Sequence, residues 1–174
     1  DDDSPIHLSQ VSNNKWVLMY FGYTSCPDVC PVDLAKISQT LYKMEKNDDL
    51  QVVFVSVDPK RDIGKLNTFA KGFNKHFVGL SAHEKNLSSI SKALGVYHQV
   101  VATQALAKSH AGNNSNNEQK MDSHDEHEMH SHDKNYLVDH TTSYLLFNPS
   151  LALSAILSSP HKPDAMAKAL DEII

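Results

Sequence analysis

The chain carries two cysteines, Cys26 and Cys30, which are separated by three residues. They follow an apolar segment, Trp16–Phe21, that predicts a buried strand, and they precede a helical pattern over Val32–Lys46. A thiol pair at the point where a strand leads into a helix is typical of a redox site or of a site for a soft metal ion. A short structural disulfide, or a pair of buried core thiols, is the alternative interpretation.

The spacing of the two thiols bears on the chemistry that they can support. Dithiol oxidoreductases usually have two residues between their cysteines, whereas this pair encloses Pro27, Asp28 and Val29. The wider spacing allows a disulfide and also suits chelation of a metal ion. Two thiolates can hold Cu(I), a third ligand would also suit Cu(II), and Zn(II) would prefer four ligands. The pair alone therefore leaves both a redox role and a metal role open.

A third metal ligand would have to come from elsewhere, and His140 is the leading candidate among the eleven histidines. It lies shortly before an apolar segment, Tyr144–Phe147, that predicts a core strand. A hydrogen-bonded structural histidine is the alternative interpretation of His140. Its neighbour Asp139 could orient the imidazole or simply face solvent. Four other histidines near predicted turns are expected to be solvated: His7, His76, His83 and His161.

The segment around the cysteines is predicted to be an irregular turn. Residues four apart share a face of a helix, so both sulfurs could point the same way. The N-terminus of a helix also lowers the pKa of a nearby thiol, and Thr24 and Ser25 are candidate capping residues. However, Pro31 has no backbone N–H to donate. We therefore expect the regular helix to begin near Pro31.

Hydrophobic patterns along the chain alternate between strands and helices. Predicted strands cover Trp16–Phe21, Gln51–Val57, Phe77–Leu80, Val96–Val101 and Tyr144–Phe147. Predicted helices cover Val32–Lys46, then Asp62–Phe73 with Asp62 as its cap, then His83–Leu94 with Gly95 at its end, and Pro163–Ile174. This alternation predicts an α/β fold, and 174 residues fit a single domain over residues 1–174.

Composition and charge narrow the classes of partner. The net charge is -5 and the chain has no basic block, which argues against binding to nucleic acid. The sequence contains no run of about 18 apolar residues of the kind that spans a bilayer. The chain opens abruptly at Asp1, as a trimmed chain or a mature start would, so the lack of an anchor in this sequence says little about the full-length protein.

A polar segment at 102–135 interrupts the alternating pattern and is predicted to be a long loop inserted into the domain. Between Ser109 and Lys134 it has no large aliphatic residue, so it cannot bury enough apolar surface to offset the ordering of its backbone. The segment is also rich in histidine and contains methionine, and tracts of this composition bind Cu(II), Zn(II) or Ni(II) weakly. A merely hydrophilic loop is the alternative interpretation. The candidate secondary metal ligands are His110, Met121, His124, His127, Met129, His130 and His132.

Three motifs together resemble the Sco/SenC family of copper chaperones. They are Phe21-Gly-Tyr-Thr-Ser-Cys-Pro-Asp-Val-Cys-Pro31, Val55-Ser-Val-Asp-Pro-Lys-Arg-Asp62 and Tyr136-Leu-Val-Asp-His-Thr141, in this order. The resemblance implies a thioredoxin-like fold, in which a mixed central sheet is flanked by helices. It also implies that Cys26, Cys30 and His140 bind one copper ion, as Cu(I) or Cu(II).

The resemblance further implies a role in assembling the dinuclear copper centre of subunit II of cytochrome c oxidase, or of a similar respiratory oxidase. We accordingly expect a copper-delivering protein, not a turnover enzyme, that is tethered to the inner membrane and faces the periplasm; the mitochondrial intermembrane space is the alternative. A periplasmic thiol-disulfide oxidoreductase that uses Cys26 and Cys30 as its redox pair is the competing function. Fewer residues than usual for the family precede Trp16, so we expect an incomplete N-terminal hairpin.

Overall fold

The computed structural model describes residues 5–102 and 136–174. The strands in these residues are β1 (Trp16–Gly22), β2 (Leu50–Ser56), β3 (Val78–Leu80), β4 (His98–Ala102), β5 (Tyr136–His140), β6 (Tyr144–Phe147) and β7 (Leu153–Leu157). The α-helices are α1 (Leu8–Ser12), α2 (Val29–Lys43), α3 (Pro59–Asp62), α4 (Leu66–Lys71), α5 (Glu84–Leu94) and α6 (Pro163–Ile173), with a short 3₁₀ turn at Asn47–Asp49.

Five of the strands form one mixed sheet in the order β3-β2-β1-β6-β7. β1, β2 and β3 run parallel to one another, whereas β6 and β7 pair antiparallel with their neighbours. β4 and β5 form a separate two-stranded sheet. The mixed sheet with its surrounding helices confirms the predicted α/β fold.

The chain divides into two compact units. The larger comprises Asp1–Gln99 together with Val138–Ile174, and it contains the whole of the five-stranded sheet. The smaller comprises Val100–Leu137, whose described residues are the end of β4 and the beginning of β5. The predicted metal-binding histidines and methionines between 110 and 132 lie outside the described residues.

The core is built around β1 and β2, whose sequences are nearly continuous apolar runs. Such runs are expected where both faces of a parallel pair are covered, and Tyr20, Phe21 and Phe54 are indeed buried. The register places Gly22 beside Ser56 at the carboxyl ends of the two strands. The chain leaves β1 at this edge and enters the turn that carries the cysteines, so the parallel pair fixes the starting point of the candidate site.

Helix α2 follows the predicted amphipathic pattern but lies three residues earlier than expected. It buries Leu34, Ile37 and Leu41 and ends at Lys43, because the next residue is extended. At its other end, Pro31 is the third helical residue, where a missing N–H costs nothing, since the first four donors of a helix have no partner within it. The expectation that regular helix begins near Pro31 was therefore wrong by two residues.

The predicted single helix over Asp62–Phe73 is in fact two short helices, α3 and α4. Gly64 lies between them with φ of +80°, a conformation that interrupts a right-handed helix and that glycine adopts readily. Asp62 ends α3 and caps nothing. Its carboxylate instead accepts hydrogen bonds from Thr24 and Ser56, which come from other parts of the chain.

The last two helices agree closely with the predicted patterns. Helix α5 ends at Leu94 and is capped by Gly95, which adopts a left-handed conformation with φ of 67°. Helix α6 begins with Pro163 and buries Met166, Ala167 and Leu170. Among the residues that the structure describes, none of the helices is both long and apolar enough to cross a membrane.

Candidate metal centre

Three elements bring Cys26, Cys30 and His140 together. Cys26 lies in the turn after β1, Cys30 is the second residue of α2, and His140 is the last residue of β5. Their potential ligand atoms all lie within 4.8 Å of one another, and all three side chains are buried. Sγ of Cys30 is 3.3 Å from Nε2 of His140, although 110 positions separate the two residues. The structure thus assembles the three residues that the sequence singled out.

The cysteine turn is held by its own backbone. The N–H of Cys26 donates to the carbonyl of Tyr23 at 3.3 Å. The N–H of Cys30 donates to Sγ of Cys26 at 3.4 Å. This second donor belongs to the first turn of α2, where N–H groups lack partners within the helix and carry the positive end of its dipole. The helix N-terminus therefore faces the Cys26 sulfur and favours its negative form.

The pKa values of the two thiols are shifted in opposite directions. The hydrogen bond with Cys30 is the largest influence on Cys26 and lowers the pKa of its thiol far below the ordinary value, against burial and with help from His140. The pKa of Cys30 is raised, first by its hydrogen bond with Cys26 and then by burial. The hydrogen bond between the two thiols therefore makes Cys26 the more acidic of the pair and Cys30 the one that holds its proton more firmly. A metal ion bound by both sulfurs would have to displace that proton.

The imidazole of His140 has a fixed orientation. Its Nδ1 lies 3.0 Å from the carbonyl oxygen of Thr141, which can only accept, so Nδ1 donates to that oxygen and Nε2 faces the Cys30 sulfur. Two tyrosine rings contact the imidazole edge-on, Tyr20 with a centroid distance of 6.2 Å and Tyr23 with 6.0 Å. A backbone acceptor behind a ring nitrogen is the usual arrangement for a histidine that binds metal through the other nitrogen.

Asp139 lies next to His140 but points the other way. Successive residues of a strand face opposite sides, and Asp139 is exposed while His140 is only 8% exposed. The partner of the ring nitrogen is the carbonyl of Thr141. A supporting role for Asp139 therefore stays a prediction.

The close packing at Gly22, the second residue of the cysteine motif, was not predicted from the sequence. A Cβ atom at this position would lie 2.7 Å from Cε2 of Phe54 and 3.0 Å from Sγ of Cys30. Glycine in a strand often marks such a close approach, so its position at the end of β1 was an available signal. The absence of a side chain at Gly22 leaves the space that the Cys30 sulfur occupies.

His161 was predicted to be solvated, and this prediction was wrong. The side chain is buried and stacks on Tyr144 with a centroid distance of 3.8 Å. Its Nε2 lies 3.1 Å from the carbonyl of Leu157, and its Nδ1 lies 3.8 Å from the carboxylate of Asp33. Three other histidines are exposed, as expected: His7, His76 and His83. Burial alone therefore does not distinguish the site histidine; proximity to the sulfurs does.

Comparison with known families agrees with the geometry. A sequence model described as SCO1/SenC matches residues 6–174. The chain belongs to the SCO1/SenC family. The resemblance of the three sequence motifs is thereby confirmed.

Relatives and solved structures place the family assignment in context. A mitochondrial SCO1 homologue of Arabidopsis thaliana is 36% identical over 87 residues, which cover 48% of this chain and 26% of that protein. The chain matches only about a quarter to a third of the length of the mitochondrial SCO1 and SCO2 relatives. The structure of Bradyrhizobium japonicum ScoI with copper bound is 26% identical, with a TM-score of 0.69, over 95% of this chain and 89% of that one.

The thioredoxin-like character of the fold has separate support. The thioredoxin domain of a thiol-disulfide oxidoreductase from Bacteroides vulgatus aligns with a TM-score of 0.53 over 97% of this chain and 85% of that one. Because the two sequences are only 11% identical, this likeness concerns the fold alone. It confirms the thioredoxin-like architecture that the motifs implied.

Proposed function

We propose that this SCO1/SenC protein binds one copper ion through Cys26, Cys30 and His140 and delivers it to a copper-accepting protein. The observation that carries the proposal is the convergence of two sulfurs and one imidazole nitrogen within 4.8 Å. Copper is the cargo in this function, not a resident cofactor. The proposal assigns the protein to binding and delivery and not to turnover catalysis.

The chemistry of the donor set fits copper better than its common competitors. Two soft thiolates suit Cu(I), and the added imidazole makes the set acceptable to Cu(II). Zn(II) is usually held by four protein ligands in structural sites, whereas only these three His, Cys, Asp or Glu side chains converge within the described part of the chain. A three-ligand set also leaves a coordination position through which a ligand of the partner can enter.

Delivery would proceed by exchange of ligands, one at a time, between this protein and its partner. We propose that the acceptor is the dinuclear copper centre of cytochrome c oxidase subunit II or of a similar respiratory oxidase. We also propose an inner-membrane tether with this domain in the periplasm. Both statements rest on membership of the SCO1/SenC family.

Copper titration of the reduced protein tests the ligand set. We expect one equivalent of Cu(I) or Cu(II) to bind tightly, and His140→Ala to weaken Cu(II) binding sharply, because the remaining thiolates favour Cu(I). His76→Ala is the matched control, since His76 is exposed and outside the cluster. If the reduced protein takes up no stoichiometric copper, the proposal fails. If His140→Ala binds Cu(II) as tightly as the unaltered protein, the ligand set is wrong.

A thiol-disulfide oxidoreductase is the second candidate, and the lowered pKa of Cys26 favours it, because the thiolate is the nucleophile in disulfide exchange. In such a reaction Cys26 would attack a partner disulfide, and Cys30 would release the reduced partner by closing a Cys26–Cys30 disulfide. This function needs both cysteines but not His140. A His140→Ala variant that retains disulfide exchange and loses Cu(II) binding separates the two activities.

We further propose that the segment 102–135, as an insertion into one domain, collects metal weakly ahead of the cysteine site. The proposal rests on sequence: the segment contains histidine and methionine but no cysteine. Deletion of residues 109–134 should remove the weaker copper equivalents and leave the tight one. Loss of the tight equivalent in this deletion would contradict the division between the two sites.

A further inference from the structure

We propose that Asp62 is a positioning residue for the cysteine turn and that it sets the place of the Cys26 sulfur by holding Thr24. The functional consequence of this role rests on the proposed copper binding. The role itself rests on the hydrogen bonds between the motif that contains Asp62 and the motif that contains Cys26.

The carboxylate of Asp62 is fully buried, and both of its oxygens are used. The backbone N–H of Thr24 lies 3.1 Å from Oδ1 and 3.2 Å from Oδ2, and the Thr24 hydroxyl donates to Oδ1 at 2.6 Å. The hydroxyl of Ser56 donates to Oδ2 at 2.7 Å. Hydrogen bonds to an ionised acceptor are short and strong. Asp62 therefore fixes both the backbone and the side chain of Thr24.

The buried carboxylate joins the two strands at the edge where the site begins. Ser56 is the last residue of β2 and pairs with Gly22, the last residue of β1. The N–H of Val57 donates to the carbonyl of Gly22 at 2.8 Å, which continues the pairing by one residue. Asp62 thus binds the first residues of the turn to a rigid part of the sheet.

Cys26 depends on this attachment more than the other two candidate ligands do. Cys30 lies in α2 and His140 lies in β5, so regular hydrogen bonding places both. Cys26 lies in neither a helix nor a strand, two residues beyond Thr24. Its backbone N–H donates to the carbonyl of Tyr23, the residue just before Thr24. Movement of Thr24 would therefore move the Cys26 sulfur relative to the other two ligands.

The cost of burying a carboxylate supports a positioning role over a purely stabilising one. A buried charge must be compensated by hydrogen bonds, and a well-packed apolar group at the same place is often as stabilising. What a carboxylate adds is direction, since its two oxygens accept from specific donors. Groups that hydrogen-bond a metal ligand directly typically change metal affinity about 10- to 100-fold when they are removed, and Asp62, which acts on Cys26 through Thr24, should lie at the lower end of this range.

The test compares Thr24→Val, Thr24→Ser and Asp62→Asn in the full chain, with Cu(I) affinity and the sulfur-to-Cu(II) absorption band as readouts. Valine has the size of threonine but lacks the hydroxyl that donates to Asp62. We expect Thr24→Val and Asp62→Asn to weaken Cu(I) binding about tenfold and to shift the absorption band. Thr24→Ser keeps the hydroxyl and should restore both properties.

Ser38→Ala is the matched control for loss of a hydroxyl. Ser38 donates to the carbonyl of Phe73 at 2.9 Å, a long-range hydrogen bond that involves none of the three ligands. We expect it to lower stability but to leave the absorption band unchanged. If Thr24→Val and Asp62→Asn bind copper with the unaltered affinity and spectrum, the positioning role is refuted.

A metal-free readout separates this inference from the proposed function. Oxidised glutathione first forms a mixed disulfide with Cys26 and releases one glutathione, and Cys30 then attacks the Cys26 sulfur, closing the Cys26–Cys30 disulfide and releasing the second glutathione. In the metal-free protein, the rate of this closing step depends on the distance between the two sulfurs. We expect Thr24→Val to slow this closure about tenfold, because small misplacements of reacting groups are costly. If the unaltered protein binds no copper but the variant closes slowly, only the proposed function fails. An unchanged closure rate in Thr24→Val would refute the positioning role.

Discussion

The hydroxyl of Tyr23 accepts a hydrogen bond from the backbone N–H of Val138 at 3.3 Å. Tyr23 lies three residues before Cys26, and Val138 lies two residues before His140. The bond therefore joins the segment that carries the first sulfur to the strand that carries the imidazole. Arg61 lies over the tyrosine ring, 5.4 Å from its centroid, and helps to hold the ring in place.

Tyr23→Phe should remove the hydrogen bond that joins the segment carrying the Cys26 sulfur to the strand carrying the His140 imidazole. Phenylalanine keeps the ring and its contacts with Arg61 and His140 but leaves the buried N–H of Val138 without this acceptor, at a cost of about 1–3 kcal/mol. Because Cu(II) depends on the imidazole more than Cu(I) does, we expect Cu(II) affinity to fall about tenfold and Cu(I) affinity to change less. Competition titrations with each redox state measure the difference.

Tyr42→Phe is the matched control for this change. Tyr42 is 91% exposed, so removal of its hydroxyl should affect neither stability nor copper binding. Equal losses of Cu(I) and Cu(II) affinity in Tyr23→Phe would contradict a specific effect on His140. Unchanged stability would show that the hydrogen bond to Val138 is not formed in solution.

The acidity of Cys26 predicts an unusual pH dependence of alkylation. An ordinary thiol, with a pKa of about 8.5, reacts about tenfold more slowly with iodoacetamide for each pH unit below its pKa. The pKa of Cys26 is lowered, chiefly by the hydrogen bond with Cys30, so its thiolate persists as the pH falls. We expect the alkylation rate of the reduced, metal-free protein to change little between about pH 6 and pH 8. Mass spectrometry would locate the modification at Cys26.

Two substitutions of Cys30 test the cause of this acidity. Cys30→Ser retains a side-chain donor beside Cys26, whereas Cys30→Ala removes it. The pKa of Cys26 should therefore remain low in the serine variant and rise in the alanine variant, where alkylation at pH 6 slows relative to pH 8. The same weak pH dependence in the unaltered protein and in Cys30→Ala would show that Cys30 is not the cause.

Local sequence patterns could predict strand β1, helix α2 and the three candidate ligands. The apolar run of β1, the helical spacing of Leu34, Ile37 and Leu41, and the motif around Cys26 each depend on residues that are close in the chain. His140 was identifiable because it precedes a core strand within a recognisable motif. These features describe which elements form, and they constrain where each element begins.

The role of Asp62 could not be predicted in the same way. A carboxylate before an apolar helical pattern is locally a good capping residue, but its partners Thr24 and Ser56 are 38 and 6 positions away. The prediction that His161 is solvated was wrong for the same reason, because its stacking partner Tyr144 and the nearby Asp33 are distant in sequence. Contacts of this kind depend on how the elements pack, which local periodicity does not specify.

His161→Phe should separate a histidine that supports the fold from one that binds metal. Phenylalanine can retain the stack on Tyr144 but cannot donate to the carbonyl of Leu157, so we expect the free energy of unfolding to fall by about 1–3 kcal/mol. Copper stoichiometry and affinity should remain unchanged, since His161 is not among the clustered ligand atoms. Denaturant unfolding and copper titration of the same preparation measure both. Loss of the tight copper equivalent would contradict this assignment.

Gly22→Ala should displace the Cys30 sulfur or the Phe54 ring, because Gly22 lies at the end of β1 and packs against both. The new methyl group would meet Phe54 at 2.7 Å and the Cys30 sulfur at 3.0 Å, both closer than side-chain carbons normally approach. Overpacking of this kind costs about 1–3 kcal/mol. We expect both lower stability and a weaker, spectrally shifted copper site, because either the ring or the sulfur must move.

A second substitution determines which of the two groups matters for copper. Phe54→Leu removes the ring atoms that the methyl group would meet and leaves the contact with Cys30. In the double variant Gly22→Ala with Phe54→Leu, the two stability losses should be less than additive, because each change offsets the packing error of the other. The copper spectrum should stay shifted, since the sulfur is still displaced. A double variant with the spectrum of the unaltered protein would show that Gly22 acts on the site through Phe54 and not directly on Cys30.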